Sequence, residues 1–341
     1  MLKSKRIGAL VAAFAASALV LSGCASSGSD GDEQQTGPAE EGAFPITIEH
    51  AYGETTLEQA PEGVIAWGWG SADAMLALDV VPAAMQQQAY GGNEEGVLPW
   101  AAEKISELGA ETPTVLETTT GEVPIEQVAA VDADVFLAPY SGLTQDEYDQ
   151  LTGMGLQVIA YQGEAWTTPW RDVIATVADV LGMSDAGDEL LAGINEQIQA
   201  KAAEHPEFEG KTVIHALDSQ GTLFAYKEAD ARSEFTTGIG FELSPALEAI
   251  DTDEATFYTT VSPENVDQLE ADVIVLYADS QEAMDAFLES EQGKLLPQHE
   301  TGGIAQIVGV ESVASMSPPT ALSLPWGLDD YVDELAAAVA E

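Results

Sequence analysis

The sequence is poor in cysteine, in positive charge and in long apolar runs. A single cysteine, Cys24, in 341 residues excludes an internal disulfide, so the thiol has a chemical use rather than a packing one. Lys and Arg together number 10 against 59 Asp and Glu, for a net charge of −49; without Lys3, Lys5 and Arg6 in the leader the balance is 7 against 59, or −52. The acidity is spread along the chain, which argues against nucleic acid as a partner. It fits a solubility or salt adaptation, and because screening confines it to about 8 Å at physiological salt it does not fix the charge of any one pocket. The four histidines, His50, His205, His215 and His299, show no ligand spacing, and no metal-ligating set is assigned. There is no Gly-rich P-loop and no GxSxG elbow, and "GMSDAG" at Gly182 reads as one helix stopping and another starting. No Cys/His pair exists for thiol catalysis. These absences leave no catalytic residue, and the chain is read as a non-enzyme.

The amino terminus carries the strongest local signal. "MLKSKR" is basic, and Ile7 to Leu21 is a fifteen-residue apolar run too short to span a bilayer comfortably, so residues 1–23 read as a secretory signal. "LSGC" follows at Leu21–Cys24 and resembles the bacterial lipobox. There small residues admit the signal peptidase, and the thiol of Cys24 takes a diacylglyceryl group through a thioether. Several acyl chains hold a protein on a membrane where one would not. Residues 24–43 contain no aliphatic side chain larger than Ala and form a polar tether. The expected location is the extracytoplasmic face of the cell membrane.

Beyond the tether the length exceeds what one core usually serves, so two lobes are expected. "PIEQVAAVDADVFL" (Pro124–Leu137) and "PENVDQLEADVIVL" (Pro263–Leu276) repeat one phrase, with Glu126 and Glu264 aligned 138 residues apart. Each reads as a helix followed by a buried parallel strand, one per lobe, with the glutamate in the first helical turn. Strands separated by helices, including "VIAW", "DVFLAPY", "QVIAY", "TVIHAL", "DVIVLYA" and "IAQIVGV", imply parallel βαβ units. Thr144 with Glu147 forms a capping-box pattern, and Ser71 and Ser280 are expected to cap helices. "TTPWRDVIATVADVLG" and "DAGDELLAGINEQIQAKAAEH" carry helical stripes and no flexible hinge. The fold class is therefore α/β, two Rossmann-like lobes with mainly parallel sheets, joined by a long rigid helix with the ligand cleft between them. The expected division is an N-terminal lobe over 44–166, a helical connector over 167–205 and a C-terminal lobe over 206–341.

The lipobox, the paired phrase, "VIAWGWGSADAMLALDVVP", "WTTPW", "EHPEFEGKTVI", "ADARSEFTTGIGF" and "SLPWGLDDYVDEL" together resemble the substrate-binding lipoproteins of ABC importers for ferric siderophores, haem and vitamin B12. The match runs from Phe44 to the C-terminus and is nearest to actinobacterial iron-siderophore binders. Asp79 stands where that family generally has Gly, Asp132 where Lys-Pro or Arg-Pro is common, and basic residues are scarce.

The resemblance implies that Glu126 and Glu264 dock onto arginines of a membrane permease, which works with its ATPase. A carboxylate in a first helical turn is also favoured by the dipole alone; the matched pair is what points to docking. Ligand contacts are expected at the carboxyl ends of the strands, from Trp69, Tyr90, Tyr140, Trp166 and Tyr258, since aromatic faces bury much area with little rotamer entropy. Tyr140 and Tyr258 coincide with ligand-contacting aromatics of the family's cobalamin binders. Arg232 is the preferred donor to anionic or carbonyl oxygens, with pairing to Asp230 or Glu234 as the alternative; Arg171 is expected to pair with Glu164 or Asp172. The implied function is capture of a ferric siderophore by a monomeric, lipid-anchored receptor that passes it to the permease. Iron arrives already chelated, so no cofactor is assigned. Scarce Lys and Arg favour a neutral or cationic hydroxamate complex. Haem or cobalamin is the alternative within the class, and a surface-anchored hydrolase is the alternative outside it.

Overall fold

The computed structural model describes residues 39–118, 121–252 and 254–340. The signal segment, Cys24 and most of the tether lie outside these residues. A short antiparallel hairpin, β1 (Ile46–His50) and β2 (Gly53–Leu57), opens the fold. The first lobe continues with β3 (Val64–Ala66), α1 (Ser71–Ala77), β4 (Ala84–Gln86), α2 (Pro99–Glu107), β5 (Thr114–Leu116), α3 (Ile125–Val128), β6 (Val135–Leu137), α4 (Gln145–Gly153) and β7 (Gln157–Ile159). Its sheet has the order β5-β4-β3-β6-β7 and is parallel throughout. The chain winds outward from β3 in one direction and then, from β6, in the other. The loops after β3 and β6 therefore diverge and leave a crevice at the carboxyl edge.

Two helices join the lobes, α5 (Trp170–Leu181) and α6 (Ser184–Glu204). The stripe Val173, Ile174, Val177 and Leu181 is buried, with α5 packed on α1, while α6 packs on elements of the second lobe. At 21 residues and 1.5 Å per residue, α6 is a rod about 30 Å long. Gly182 ends α5 in the left-handed conformation, φ 68°, where a Cβ would also sit 2.6 Å from the Phe44 ring; only glycine meets both demands.

The second lobe comprises β8 (Thr212–Ser219), β9 (Thr222–Tyr226), α7 (Ala231–Gly238), β10 (Glu242–Leu243), α8 (Ala246–Ile250), β11 (Tyr258–Val261), β12 (Val273–Ala278), α9 (Gln281–Glu289), α10 (Gln298–Thr301), β13 (Ile304–Val308), α11 (Val310–Met316) and α12 (Ser323–Ala340). Its sheet runs β11-β9-β8-β12-β13, with β10 also on β8. Strands β8, β10, β12 and β13 are parallel, and β9 and β11 run against their neighbours. All described residues belong to one compact unit.

The repeated phrase folds into matching structure. Val128 and Val266 are buried, β6 and β12 follow, and the aspartate ahead of each strand performs the same task. Asp134 accepts from the backbone N–H of Glu62 and Gly63, both at 3.0 Å, and Asp272 accepts from Thr212 N–H at 2.9 Å. Each carboxylate thereby satisfies N–H groups at the start of the central strand beside it, which no ladder partner reaches. The helices of the phrase are shorter than expected: α3 has 4 residues and Pro263–Gln268 is a 3-10 turn, a form suited to short pieces.

Local signals fare unevenly. Thr144 and Glu147 form the reciprocal capping box, and the Ser280 side chain accepts from Ala283 N–H. Ser71 is the first helical residue rather than the cap; its hydroxyl donates to the Trp67 carbonyl at 2.7 Å. Asp79, placed where glycine is general in the resembled family, has φ 60°, a left-handed turn whose aspartate pairs with Lys104 at 2.6 Å.

Candidate functional site

The carboxyl ends of the central strands face one another across the two lobes. In the first lobe the loop after β3 carries Trp67-Gly68-Trp69 and the loop after β6 carries Tyr140-Ser141. They run in contact: Trp69 N–H donates to the Tyr140 carbonyl at 3.0 Å. A Cβ on Gly68 (φ 82°) would lie 2.2 Å from that carbonyl oxygen, so the approach requires glycine. Trp69 Nε1 then donates to the Pro318 carbonyl at 2.9 Å, and Trp69 and Tyr140 pack with Trp170, Ala231 and Pro318 so closely that only about 10 Å³ remains between them.

The open space lies beside this contact, at the carboxyl edge of the second sheet. A cavity of about 420 Å³ is lined by Leu217, Asp218 and Ser219 at the end of β8, Leu276 to Asp279 at the end of β12, Tyr226 at the end of β9, Arg232 of α7, and Tyr90 from the first lobe. That volume lies within the roughly 300–1,000 Å³ of ligand pockets. A larger groove, about 810 Å³, lies at the opposite edge among Lys211, Thr212, Asp272 and Val273. Parallel α/β sheets bind ligands at their carboxyl ends, so the smaller cavity is the candidate.

Arg232 anchors this cavity. Its Nη1 donates to Asp230 Oδ2 at 2.6 Å and its Nε to Ser317 Oγ at 2.6 Å, while the guanidinium lies 3.8 Å from the centre of the Tyr226 ring and 5.7 Å from that of Tyr277. Burial by itself lowers the guanidinium pKa, and Asp230 together with Tyr226, Tyr277 and Tyr140 more than reverses this, so the group stays charged. Asp230, 2% exposed, also accepts from Arg232 N–H at 2.9 Å and so caps α7. Behind it, burial and then the Arg232 charge hold His215 down at about 3. The neutral imidazole bridges Tyr277 Oη at 3.1 Å and Thr236 Oγ1 at 2.9 Å.

The remaining expected contacts divide. Tyr90 reaches across the lobes and donates to Asp279 Oδ1 at 2.5 Å; burial and then this bond raise its hydroxyl pKa. Tyr140 is buried, which raises its pKa, and is close enough to sense Asp230 and Arg232. Trp166, 40% exposed with φ 64°, meets the Tyr140 ring edge-on at 5.7 Å. Nearby Thr256 donates to Glu164, a further bond between the lobes. Tyr258 belongs to β11, opposite Tyr226, and packs edge-on against Phe224 and Phe257; it does not line the cavity. Arg171 pairs with Glu234 rather than with Glu164 or Asp172. It also donates to Asn195 Oδ1 at 3.1 and 2.8 Å, bracing α5 against α6 and α7. Sequence reasoning missed Asp218, Tyr277, Asp279 and Ser317 as lining residues. Asp218 and Asp279 carry a readable signal: each stands just past an apolar strand run. Glu126 and Glu264 are both exposed. Among the described residues no group of three or more His, Cys, Asp and Glu could hold a metal ion, and no helix is long and apolar enough to cross a membrane.

A family model described as periplasmic binding protein matches residues 64–294. The chain is 21% identical over 275 residues to the Fe(3+)-citrate-binding protein YfmC of Bacillus subtilis (strain 168), covering 81% of this chain and 80% of that protein. Among solved structures it resembles PiaA from Streptococcus pneumoniae TIGR4 in complex with ferrichrome, with 31% identity and a TM-score of 0.77, covering 86% of this chain and 99% of the other. It also resembles a periplasmic solute binding protein from Mycobacterium smegmatis str. MC2 155, with 25% identity and a TM-score of 0.73, covering 86% and 98%.

Proposed function

Because the chain belongs to the periplasmic binding protein family, we propose that it is a lipid-anchored extracytoplasmic receptor that captures a ferric siderophore and delivers it to an ABC permease. The observation that carries this reading is the cavity at the carboxyl edge of the second sheet, walled by Tyr226, Tyr277 and the Arg232 guanidinium and faced by Tyr90 from the other lobe. Aromatic rings bury the organic periphery of a large chelate, and the guanidinium edge can donate to its metal-binding oxygens. Iron enters as cargo inside its chelator, so the protein recognises the outside of the complex. The relatives named for Fe(3+)-citrate and solved with ferrichrome support iron-chelate cargo. The residues proposed to contact it are Tyr90 and Arg232 on the cavity wall, with Trp69, Tyr140 and Trp166 beside the cavity, while Tyr258 stands next to Tyr226 in the sheet. The expected division is a first lobe over 44–166, a connector over 167–205 and a second lobe over 206–341, with Glu126 and Glu264 as the permease-docking carboxylates and Cys24 as the lipid site.

Intrinsic fluorescence tests the reading. Six tryptophans and nine tyrosines, several around the cavity, should be quenched saturably by ferric siderophores at sub-micromolar concentration, and less by the iron-free chelators. Saturation by haem or cobalamin alone would replace the siderophore with the other cargo of the class. Turnover of a polymer or peptide without tight binding would support the hydrolase instead.

A further inference from the structure

Each charged group that lines the cavity is an aspartate or is already neutralised by one. Arg232 is the one cation among the lining residues, and Asp230 holds it at 2.6 Å from behind. Asp218 and Asp279 stand at the ends of β8 and β12 on the cavity wall. One guanidinium against Asp218, Asp230 and Asp279 leaves a surplus of two negative charges. A cleft lined by one sign of charge focuses its field into the opening, where it acts on an arriving ion more strongly than on an open surface. Tyr90 adds orientation without charge: its hydroxyl is held in the neutral form and donates to Asp279 Oδ1, fixing that carboxylate where the two lobes meet.

Resting on the reading above, we infer that Asp218 and Asp279 make the site select by charge: it takes ferric complexes that are neutral or carry a pendant cation, and discriminates against anionic ones. The guanidinium serves as a hydrogen-bond donor to the chelate oxygens, while its charge stays balanced by Asp230. A triply anionic tris-catecholate would bring its charge against two uncompensated carboxylates. A linear tris-hydroxamate ending in an ammonium group would set that ammonium beside Asp218 or Asp279.

Isothermal titration with three probes tests this. Ferrioxamine B carries one terminal ammonium; its N-acetyl derivative keeps the chelate and removes the charge; a ferric tris-catecholate carries three negative charges. At low salt the ammonium form should bind about fivefold to tenfold more tightly than the acetylated one, the scale of one or two partly exposed ion pairs, and the tris-catecholate should bind weakest. The ratio between the first two should narrow at 0.5 M salt and approach one in Asp218→Asn/Asp279→Asn, in which the amide oxygen introduced at position 279 can still accept from Tyr90. Equal affinity for the first two probes in the wild-type protein, or preference for the tris-catecholate, overturns the charge selection while leaving siderophore capture in place. Failure of every ferric chelate to bind overturns both.

Discussion

The Asp230–Arg232 pair should behave as one energetic unit, and a double-mutant cycle measures that directly. Asp230→Ala removes the counter-charge from a guanidinium whose side chain is 10% exposed and strips the cap from α7. Breaking a buried pair costs about 3–5 kcal/mol because the surviving charge is left uncompensated, and loss of a cap costs about 1 kcal/mol. One carboxylate performs both tasks, so the two figures overlap and about 4 kcal/mol is expected. With an unfolding entropy of about 2.1 cal/mol/K per residue over roughly 300 folded residues, that lowers Tm by about 6 °C. Arg232→Met should cost a similar amount, since it leaves Asp230 buried with only the helix N–H groups as partners. Asp230→Ala/Arg232→Met removes both charges together, puts an apolar chain of comparable length in place of the guanidinium, and leaves only the lost cap of α7 uncompensated. It should fall within about 1 kcal/mol of wild type, against about 8 kcal/mol if the two single costs simply added, a coupling of about 7 kcal/mol. Calorimetry or urea unfolding of the four proteins supplies the cycle. Single costs below about 1 kcal/mol, or costs that simply add in the double variant, would refute the pairing and with it the argument that the Arg232 charge is already balanced.

Three further outcomes follow, two from the proposed function and one from the structure. Glu126→Ala with Glu264→Ala should abolish most iron uptake in cells while leaving affinity in solution intact; unchanged uptake removes the docking role. Cys24→Ser should release the protein from the membrane fraction into the medium or periplasm, and continued membrane retention would contradict lipidation at that thiol. Asp73 is buried beneath Thr320 and Trp100, whose Nε1 donates to it at 2.7 Å, and burial, opposed by these bonds, pushes its pKa from 3.8 up to about 6. The folded state then binds this proton more tightly than the unfolded chain, so the contribution to stability is complete below about pH 4 and is lost as pH rises through 6. At 1.36 kcal/mol per tenfold in proton affinity the loss is about 3 kcal/mol. The stability difference between wild type and Asp73→Asn should move by that amount in favour of the variant between pH 4 and 7, and a pH-independent difference would contradict the buried ionisation.

Much of the architecture is legible because it is written in local pattern. Apolar strand runs bounded by helical stripes give the parallel sheets, and the paired phrase around Glu126 and Glu264 announces two similar halves. The phrase also hides a function that only the fold reveals. Asp134 and Asp272 read as polar residues before strands, yet each satisfies backbone groups 60 to 72 positions away in sequence. Helix α2 and strands β5 and β11 escape notice because each is short and sits in irregular, polar sequence. Tyr258 reads as a loop aromatic for the same reason, and pairing with β9 makes it a strand residue. The cavity is least legible. Tyr90 and Asp279 meet across 189 residues, and Asp230 as the partner of Arg232 is visible two positions away in sequence, but its burial is not. Contacts set by long-range packing leave no periodicity to read.

Anomalous X-ray scattering at the iron edge, from crystals grown with a ferric tris-hydroxamate, tests the central claim most directly. The account predicts a single strong iron peak between the lobes, in the cavity bounded by Tyr90, Tyr226, Tyr277 and Arg232, with chelator oxygens and no protein side chain in the coordination shell. An iron peak elsewhere on the molecule, or iron bound by protein carboxylates or histidines, would contradict it.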